Sequence, residues 1–177
     1  MPQRVITTGR LILRPPELAD AEAIFAGYGQ DPEVTRYLIW RPHQSVADTE
    51  AFLRGCIDAW AGGKRFPWVI TRREDSRVIG MIDVTLDAPH RAALGYVLAR
   101  AEWGKGYMPE AARAVIAVLW TLPEVYRIWA VCDVDNPASA RVMEKAGMTR
   151  EGRLARYLVH PNVSPEPRDA LLYAIAR

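Results

Sequence analysis

The chain has 177 residues, of which 50% are hydrophobic and 25% are charged. This length and composition are typical of one globular domain with a hydrophobic core, expected here to span residues 1–177. The 23 Lys and Arg residues against 21 Asp and Glu give a net charge of +2, which argues against nucleic acid or an anionic membrane as a partner.

The first half of the chain alternates between strand and helix signals. An aliphatic run predicts a strand over residues 5–13. Asp20 is a suitable N-cap for a short helix, and Ser45-Val46-Ala47-Asp48 fits the capping-box pattern ahead of a longer helix that stops at Gly62-Gly63. Three further strands are expected, the first two as an antiparallel hairpin, at residues 68–71, 78–86 and 93–98.

The second half predicts two helices and three strands. Residues 109–120 form a helix with proline in its first turn and apolar residues at helical spacing, and residues 126–134 form a strand. Asn136-Pro137 opens a short helix that stops at Gly147, since Asn suits the cap and Gly the stop. Two closing strands, at residues 154–159 and 170–176, flank a proline-rich loop. The pattern predicts one mixed α/β domain.

Cysteine and histidine usage argues against a disulfide scaffold or a zinc enzyme. Cys56 and Cys132 lie in apolar surroundings without CxxC spacing, as buried thiols in a reducing compartment do. No metal is expected, because the three histidines are scattered singly. The longest apolar run, residues 114–120, is far shorter than the ~20 residues that span a bilayer, and no secretory signal is visible. A cytoplasmic protein without a membrane partner is expected.

The segment from Tyr96 to Ala112 carries the clearest chemical signal. A strand ends, a loop with Gly104 and Gly106 follows, and a long helix begins. Successive backbone N–H groups of such a loop, with a helix N-terminus behind them, form a pocket for phosphate or pyrophosphate. Glycine lets the ligand approach the backbone closely, and Lys105 adds a positive charge. Such a site is compatible with a net charge of only +2.

Two common nucleotide-binding patterns do not fit this loop. The dinucleotide fingerprint G-x-G-x-x-G fails because Pro109 stands where the third glycine belongs. The phosphate-binding pattern G-x-x-x-x-G-K-[ST] is absent as well. Taken alone, a Gly-x-Gly sequence is also consistent with an ordinary glycine turn before a helix.

The loop resembles the cofactor loop of the GNAT superfamily of acetyl-CoA-dependent N-acetyltransferases, specifically the Rim-type branch that acetylates protein N-termini. The family pattern is Gln/Arg-x-x-Gly-x-Gly/Ala, and Trp103-Gly104-Lys105-Gly106-Tyr107-Met108 matches it at Gly106. Trp103 replaces Gln/Arg and Met108 replaces Gly/Ala. Large residues at these two places occur in Rim-like members.

Similarity to the same branch continues along the chain in the family's order. Asn136-Pro137-Ala138-Ser139 resembles the family's Asn-x-x-Ser. Lys145-Ala146-Gly147-Met148 resembles its Lys-x-Gly-Phe turn, with Met in place of Phe. The segment from Thr8 to Pro15 resembles the branch's first strand, and residues 167–173 also fit. The resemblance therefore spans the whole chain.

The resemblance implies an α+β fold with a central twisted mixed sheet flanked by helices. Two neighbouring parallel strands, residues 93–98 and 126–134, are expected to splay apart and admit acetyl-CoA. Backbone groups of Val97 and Leu98 would pair with the pantetheine arm, and amides from Gly104 to Met108 would hold the pyrophosphate. The full set of cofactor-binding residues implied is Val97, Leu98, Trp103, Gly104, Lys105, Gly106, Tyr107, Met108 and Asn136.

Direct attack of an amine on a thioester requires a proton acceptor for the ammonium and a proton donor for the thiolate. Ser139 resembles the position where relatives place a thiolate-protonating Tyr or Ser; an exposed helix residue is the alternative. Asn136 is equally consistent with a cofactor ligand and with a helix cap. The general base stays open, since water relays or one of several carboxylates would serve: Asp83, Glu102 or Asp133.

The implied function is N-acetylation of a protein or peptide N-terminus or of a small amine. Trp40 and Arg41, in a stretch expected to lack regular structure, lie where relatives form the acceptor cleft. His160 lies in a loop that would line its mouth. A non-catalytic acetyl-CoA-binding or regulatory module is the alternative, because of the replacements at Trp103 and Met108. A homodimer is compatible with either function.

Overall fold

The computed structural model describes residues 1–177 and contains eight strands and five α-helices. The strands are β1 (Ile6–Thr7), β2 (Leu11–Arg14), β3 (Arg65–Arg72), β4 (Val78–Ala88), β5 (Arg91–Leu98), β6 (Arg127–Asp133), β7 (Thr149–Leu158) and β8 (Arg168–Ala176). The helices are α1 (Ala21–Ile24), α2 (Pro32–Thr35), α3 (Val46–Gly62), α4 (Tyr107–Leu119) and α5 (Pro137–Lys145). None of these helices combines the length and apolar character that crossing a membrane requires.

One sheet contains all eight strands, in the order β1-β2-β3-β4-β5-β6-β8-β7. Every neighbouring pair is antiparallel except β5 and β6, which are parallel. That pair is in register only over residues 91–93 of β5 and 127–129 of β6. Beyond these residues the two strands part, so the prediction of a splayed parallel pair is confirmed.

Helices cover both faces of the sheet. On one face, α4 and α5 pack over the larger core, which contains Leu94 of β5 and Ile128 of β6. On the other face, α1, α2 and α3 cover a smaller core, in which Leu53 packs with Met81 and Val97. Because successive strand residues point to opposite faces, each side chain at the opening belongs to one of these two layers.

The helix ends follow the predicted capping signals. The Ser45 side chain accepts a hydrogen bond from the Asp48 N–H, and the Asp48 carboxylate accepts one from the Ser45 N–H. Helix α5 begins after Asn136, whose Oδ1 accepts the N–H of Ser139 at 3.1 Å. It ends before Gly147, which has a φ of +94°. These contacts span three residues or fewer, which is why the sequence alone predicts them.

Three predicted boundaries were wrong. The single strand over residues 5–13 is two short strands, because the Thr8 N–H turns back to the Leu11 carbonyl at 2.9 Å. The stretch before Ser45 contains α2, which starts at an Asp-Pro pair whose Asp31 carboxylate accepts the Glu33 N–H. Strand β7 begins at Thr149 rather than at residue 154, since the chain reverses at Gly147 and enters the sheet directly.

Candidate functional site

The opening between β5 and β6 exposes one edge of β5. Ala99 donates its N–H to the carbonyl of Ile79 at 2.8 Å, so alternate residues, including Val97, direct their backbone groups toward β4. A Cβ on Gly80 would stand only 2.4 Å from the Val97 carbonyl oxygen, which confirms that this carbonyl faces β4. Leu98 is out of phase with Val97 and directs its N–H into the opening. Of the two predicted backbone partners for pantetheine, Leu98 is the one whose N–H faces the opening, and both assignments stay predictions.

The loop between β5 and α4 presents an unbroken row of backbone donors. The N–H groups of residues 104–108 form no hydrogen bond within the protein. Gly104 and Gly106 have φ angles of +77° and +80°, the left-handed region that glycine occupies at little cost. The first N–H groups of α4 add the positive end of the helix dipole. The row is a cradle for an anion, and it fits the predicted pyrophosphate.

Arg10 braces this loop from the neighbouring strand. Its Nε donates to the Glu110 carboxylate at 2.7 Å, and its Nη1 donates to the carbonyl of Lys105 at 3.0 Å. Its guanidinium lies 4.5 Å from the centre of the Tyr107 ring. Burial raises the pKa of Glu110, but hydrogen bonds from Thr8 and Arg10 outweigh it and hold that pKa below its ordinary value. Arg10, directly before β2, therefore ties the loop to the neighbouring strand.

Glu102 braces the loop from inside the protein. Its side chain is only 3% exposed and lies 3.1 Å from the Lys105 Nζ and 3.6 Å from an Arg72 Nη1. Two cations thus balance one buried carboxylate, as a buried charge requires. The positive charge of Lys105 is largely matched by Glu102, so the backbone donors are the main anion-binding groups. Glu102 therefore supports the loop from inside the protein.

The two replacements in the family loop leave the cradle unobstructed. Trp103 is 48% exposed, and its indole N–H donates to the Leu98 carbonyl at 2.8 Å. This bond ties the start of the loop to the end of β5. Met108 is 3% exposed, and its side chain lies in the core under α4. Met108 therefore has only its backbone N–H to offer a ligand.

A pair of hydroxyl groups bridges the opening on the α4 and α5 face. The hydroxyl of Tyr96, on β5, lies 2.8 Å from the Ser139 Oγ and 3.1 Å from the Ser139 carbonyl oxygen, in the first turn of α5. Burial raises the pKa of Tyr96, so its phenol keeps its proton at neutral pH. The Oδ1 of Asn136 caps α5, so the structure supports the cap alternative for that atom.

The two remaining candidate bases, Asp83 and Asp133, sit in different electrostatic surroundings. Burial raises the pKa of Asp83, although Arg65 opposes this with an Nε 2.5 Å from Oδ2. Burial also disfavours the Asp133 carboxylate, but two hydrogen bonds from Arg168, at 2.6 and 3.0 Å, outweigh it and lower the pKa of Asp133. His160 Nε2 lies 3.6 Å from the same Asp133 carboxylate.

The two predicted acceptor segments, residues 30–44 and 160–167, meet at one end of the opening. The Nδ2 of Asn162 donates to the carbonyl of Thr35 at 2.8 Å and to that of Trp40 at 2.7 Å. The Trp40 ring lies 5.0 Å from the ring of His43, and Arg41 beside it is exposed. The sequence analysis expected no helix in the first of these segments, and its assignment of both to the acceptor cleft stays a prediction.

Residues 10–149 match the family model described as acetyltransferase (GNAT) domain. The chain belongs to the GNAT acetyltransferase family. The uncharacterised N-acetyltransferase YoaA of Bacillus subtilis (strain 168) is 32% identical over 175 residues, which cover 98% of this chain and 97% of that protein. The ribosomal protein uS5-alanine N-acetyltransferase of Escherichia coli (strain K12) is 25% identical over 183 residues, which cover 99% of this chain and 92% of that protein.

A solved GNAT-family acetyltransferase from Bacillus anthracis has the same fold, with a TM-score of 0.84 and 30% sequence identity. The alignment covers 97% of this chain and 98% of that one. The predicted GNAT fold, the Rim-type resemblance and the acyltransferase class are therefore confirmed. The chain is an acyltransferase of the GNAT family.

Two parts of the site were missed by local sequence patterns. The Arg10–Glu110 brace joins residues 100 positions apart, so no spacing rule connects them. Arg10 lies in the segment from Thr8 to Pro15, which the sequence analysis connected only with the family resemblance. The contact between the Tyr96 hydroxyl and Ser139 is the second, because nothing in the local sequence shows that Ser139 comes back to meet Tyr96.

Proposed function

We propose that this GNAT enzyme transfers the acetyl group of acetyl-CoA to the amine of a protein or peptide N-terminus. The observation that carries the proposal is the alignment of two features on β5. The strand opens toward β6 from residue 94 onward, and the free N–H groups of residues 104–108 begin just beyond its end. A ligand with a polar arm and a pyrophosphate needs both features in this order.

Each part of acetyl-CoA has a partner in this arrangement. The Leu98 N–H pairs with an amide of the pantetheine arm, while the Val97 side chain forms the wall beside it. The backbone of residues 104–108 holds the pyrophosphate, with Lys105 as the nearest cation. The Asn136 amide nitrogen, which has no partner within the protein, is free to donate to the arm. Trp103 lies directly before the cradle, and Tyr107 lies close to its other end.

Acetyl-CoA supplies a thioester that an amine attacks, and the chain must then protonate the departing thiolate. Ser139 is the donor in this proposal, because its Oγ stands at the opening and is held by the Tyr96 hydroxyl. Tyr96 in turn returns a proton to Ser139 through the 2.8 Å hydrogen bond between them. A neutral hydroxyl pair serves this purpose without a buried charge.

Two observations support a peptide N-terminus as the acceptor. One is a relative whose name states its acceptor, and the other is the set of side chains around the opening. The Escherichia coli relative is an N-acetyltransferase for an alanine of ribosomal protein uS5. In this chain the two segments joined by Asn162 place aromatic rings, those of Tyr37 and Trp40, around the entrance. Such rings provide contact area for the side chains of a peptide.

A peptide panel tests the acceptor class directly. The purified protein is incubated with acetyl-CoA and peptides that begin with Ala, Ser or Met, and the release of free CoA thiol is followed. Matched peptides with a formylated N-terminus and an internal lysine serve as controls. Turnover with free N-termini alone is expected. Turnover only with polyamines, aminoglycosides or free amino acids would show that the acceptor class is wrong.

Calorimetry separates this enzyme from a non-catalytic acetyl-CoA-binding module. Tight binding of acetyl-CoA without turnover on any amine would support the module. A Gly106→Trp variant is expected to lose binding, since its side chain would fill the cradle, whereas Gly55→Ala on the exposed face of α3 should bind normally. Retained binding by Gly106→Trp would mean that the pyrophosphate lies elsewhere.

The remaining expectations stay predictions. A cytoplasmic location and a homodimer are compatible with this chemistry, and neither is tested by the fold. The structure brings together no group of three or more His, Cys, Asp or Glu side chains that could hold a metal ion. The proposed reaction uses no metal ion. Assays in the presence and absence of a chelator test that expectation.

A further inference from the structure

His160 is a buried imidazole without hydrogen-bond partners. Its residue is only 3% exposed, and neither Nδ1 nor Nε2 forms a hydrogen bond. Most buried polar atoms in folded proteins are paired, so an unpaired ring of this kind calls for an explanation. Catalytic groups are one recognised exception, because they must keep a lone pair or a proton available.

The nearest charged group to His160 is the Asp133 carboxylate. Asp133 Oδ2 lies 3.6 Å from His160 Nε2, and the same carboxylate is held by two hydrogen bonds from Arg168. This arrangement places Nε2 beside a fixed negative charge and leaves Nδ1 without a partner. A carboxylate so placed can hold the imidazole in one orientation.

Asp133 stands at the opening, on the side opposite the hydroxyl pair. Ala93 pairs with Trp129 where the strands are still joined, so Val97 and Asp133, four residues further on, face each other across the gap. Val97 packs under α1 and α3, whereas Cys132 lies in the core under α4 and α5. Strand alternation therefore puts Asp133 on the α1 and α3 face.

The Asp133–His160 pair and the Tyr96–Ser139 pair thus flank the opening from opposite faces. The first is next to the acceptor segments: the Tyr37 ring meets the His160 ring edge-on, with 6.1 Å between their centres. The second lies on the face that α5 covers. An amine that enters from one side and a thiol that leaves toward the other need a proton acceptor and a proton donor placed in this way.

We propose that His160 accepts the proton of the acceptor ammonium and that Asp133 positions and stabilises its imidazole; this inference rests on the N-acetyltransferase activity proposed above. His160 Nδ1 takes one proton from the ammonium and passes it to water. The neutral amine forms the C–N bond, the C–S bond breaks, and the nitrogen gives its second proton to water. Ser139 protonates the sulfur and regains its proton from Tyr96, which is reprotonated from water, so the reaction releases one proton in total.

The other candidate bases are less suited to this step. The Asp83 carboxylate is held by Arg65 at 2.5 Å on the inner part of β4, next to α3. Glu102 is engaged by Lys105 and Arg72 behind the anion cradle. The groups that face His160 are the Asp133 carboxylate with its Arg168 partner and the Tyr37 phenol ring.

A His160→Gln variant tests the proposal, with the N-terminal peptide acceptor and acetyl-CoA as probes. We expect kcat/KM at pH 7 to fall by roughly 100-fold or more, the usual contribution of a general base. The deficit should shrink as the pH rises above about 8, because the acceptor amine then loses its proton in solution. Imidazole added to a His160→Gly variant should restore part of the rate. A merely structural histidine would show neither behaviour.

Asp133→Asn provides a second and independent measurement. Without the carboxylate the imidazole loses the group that positions it, so kcat should fall while the KM for acetyl-CoA stays unchanged. His90→Gln, at an exposed turn between β4 and β5, is the matched control and should leave both values unchanged. Acetyl-CoA binding by calorimetry verifies that each variant is folded.

The outcomes separate this inference from the function on which it rests. An inactive wild-type protein that binds acetyl-CoA would overturn the proposed function and the inference together. An active wild type with a fully active His160→Gln variant would overturn the inference alone. If His160→Gln does not fold, an Asp133→Asn variant that binds acetyl-CoA and keeps the wild-type kcat would overturn it. Loss of activity in Asp83→Asn without an effect of His160→Gln would assign the base to Asp83.

Discussion

The Tyr96 hydroxyl and the Ser139 Oγ lie 2.8 Å apart, although the residues are 43 positions apart and belong to elements on either side of the parted strands. The contact is possible because β5 and β6 lose their register after residues 93 and 129, which leaves room for side chains between them. On one face of the opening, a hydrogen bond between side chains therefore connects the two elements where the strands no longer pair. The departing thiolate is expected to meet this pair.

Removal of the Tyr96 hydroxyl should slow the chemical step. We expect Tyr96→Phe and Ser139→Ala each to lower kcat by about tenfold or more, with little change in KM for acetyl-CoA. The double variant should be no slower than the slower single variant, because the two hydroxyls act as one unit. Tyr126→Phe is the control, since Tyr126 is 55% exposed and packs against Arg177 at the protein surface. Additive losses would show that the hydroxyls act separately.

Glycine-to-alanine substitutions at two positions should change the free energy of unfolding in opposite directions. Gly106 has a φ of +80°, where a residue with a Cβ loses about 1–2 kcal/mol. Gly106→Ala should therefore lower the free energy of unfolding and weaken acetyl-CoA binding. Gly55 lies inside α3 with no atom near the position of a Cβ, so Gly55→Ala should add about 0.5–1 kcal/mol. Urea denaturation measures both, and effects of the same sign would contradict the loop geometry.

Glu110 should make the stability of the protein sensitive to acid. Its pKa in the folded protein is lowered by hydrogen bonds from Thr8 and Arg10, against the effect of burial. The stabilisation is complete above the unfolded value of about 4.3 and is lost as the pH falls through the lower folded value. Glu110→Gln should cost about 1–2 kcal/mol at pH 7, a typical value for hydrogen bonds to a charged group.

The gap between wild type and Glu110→Gln should close as the pH drops below about 4, because the wild-type carboxylate is then protonated. Glu50→Gln is the control, since Glu50 forms only an exposed helix-surface pair with Arg54. Such pairs contribute little at any pH. A gap that is constant from pH 7 to pH 3 would show that the Glu110 charge is not the stabilising feature.

The two cysteines should react slowly with thiol reagents in the native protein. Burial raises the pKa of Cys56 to about 11 and that of Cys132 to about 11, the latter with a contribution from Asp133. At pH 8 only about 0.1% of such a thiol is the reactive thiolate. Labelling with a disulfide reagent should be slow until urea exposes both thiols. Fast labelling of the native protein would show that Cys56 or Cys132 is accessible through the opening.

Short-range chemistry makes several features of this protein predictable without its tertiary structure. The Ser45 and Asn136 caps and the glycines at 104 and 106 are set by contacts within a few residues or by backbone sterics. These features place the anion cradle at the start of α4. The order of the motifs along the chain was also sufficient for the family resemblance.

The side chains that meet at the opening are brought together by long-range packing. Arg10 reaches Glu110 across 100 positions, and Arg168 reaches Asp133 across 35. Sheet order brings these residues together, and strand alternation separates Asp133 from Cys132 by face. A local pattern contains neither the sheet order nor the point at which β5 and β6 part, because both result from the packing of the whole chain.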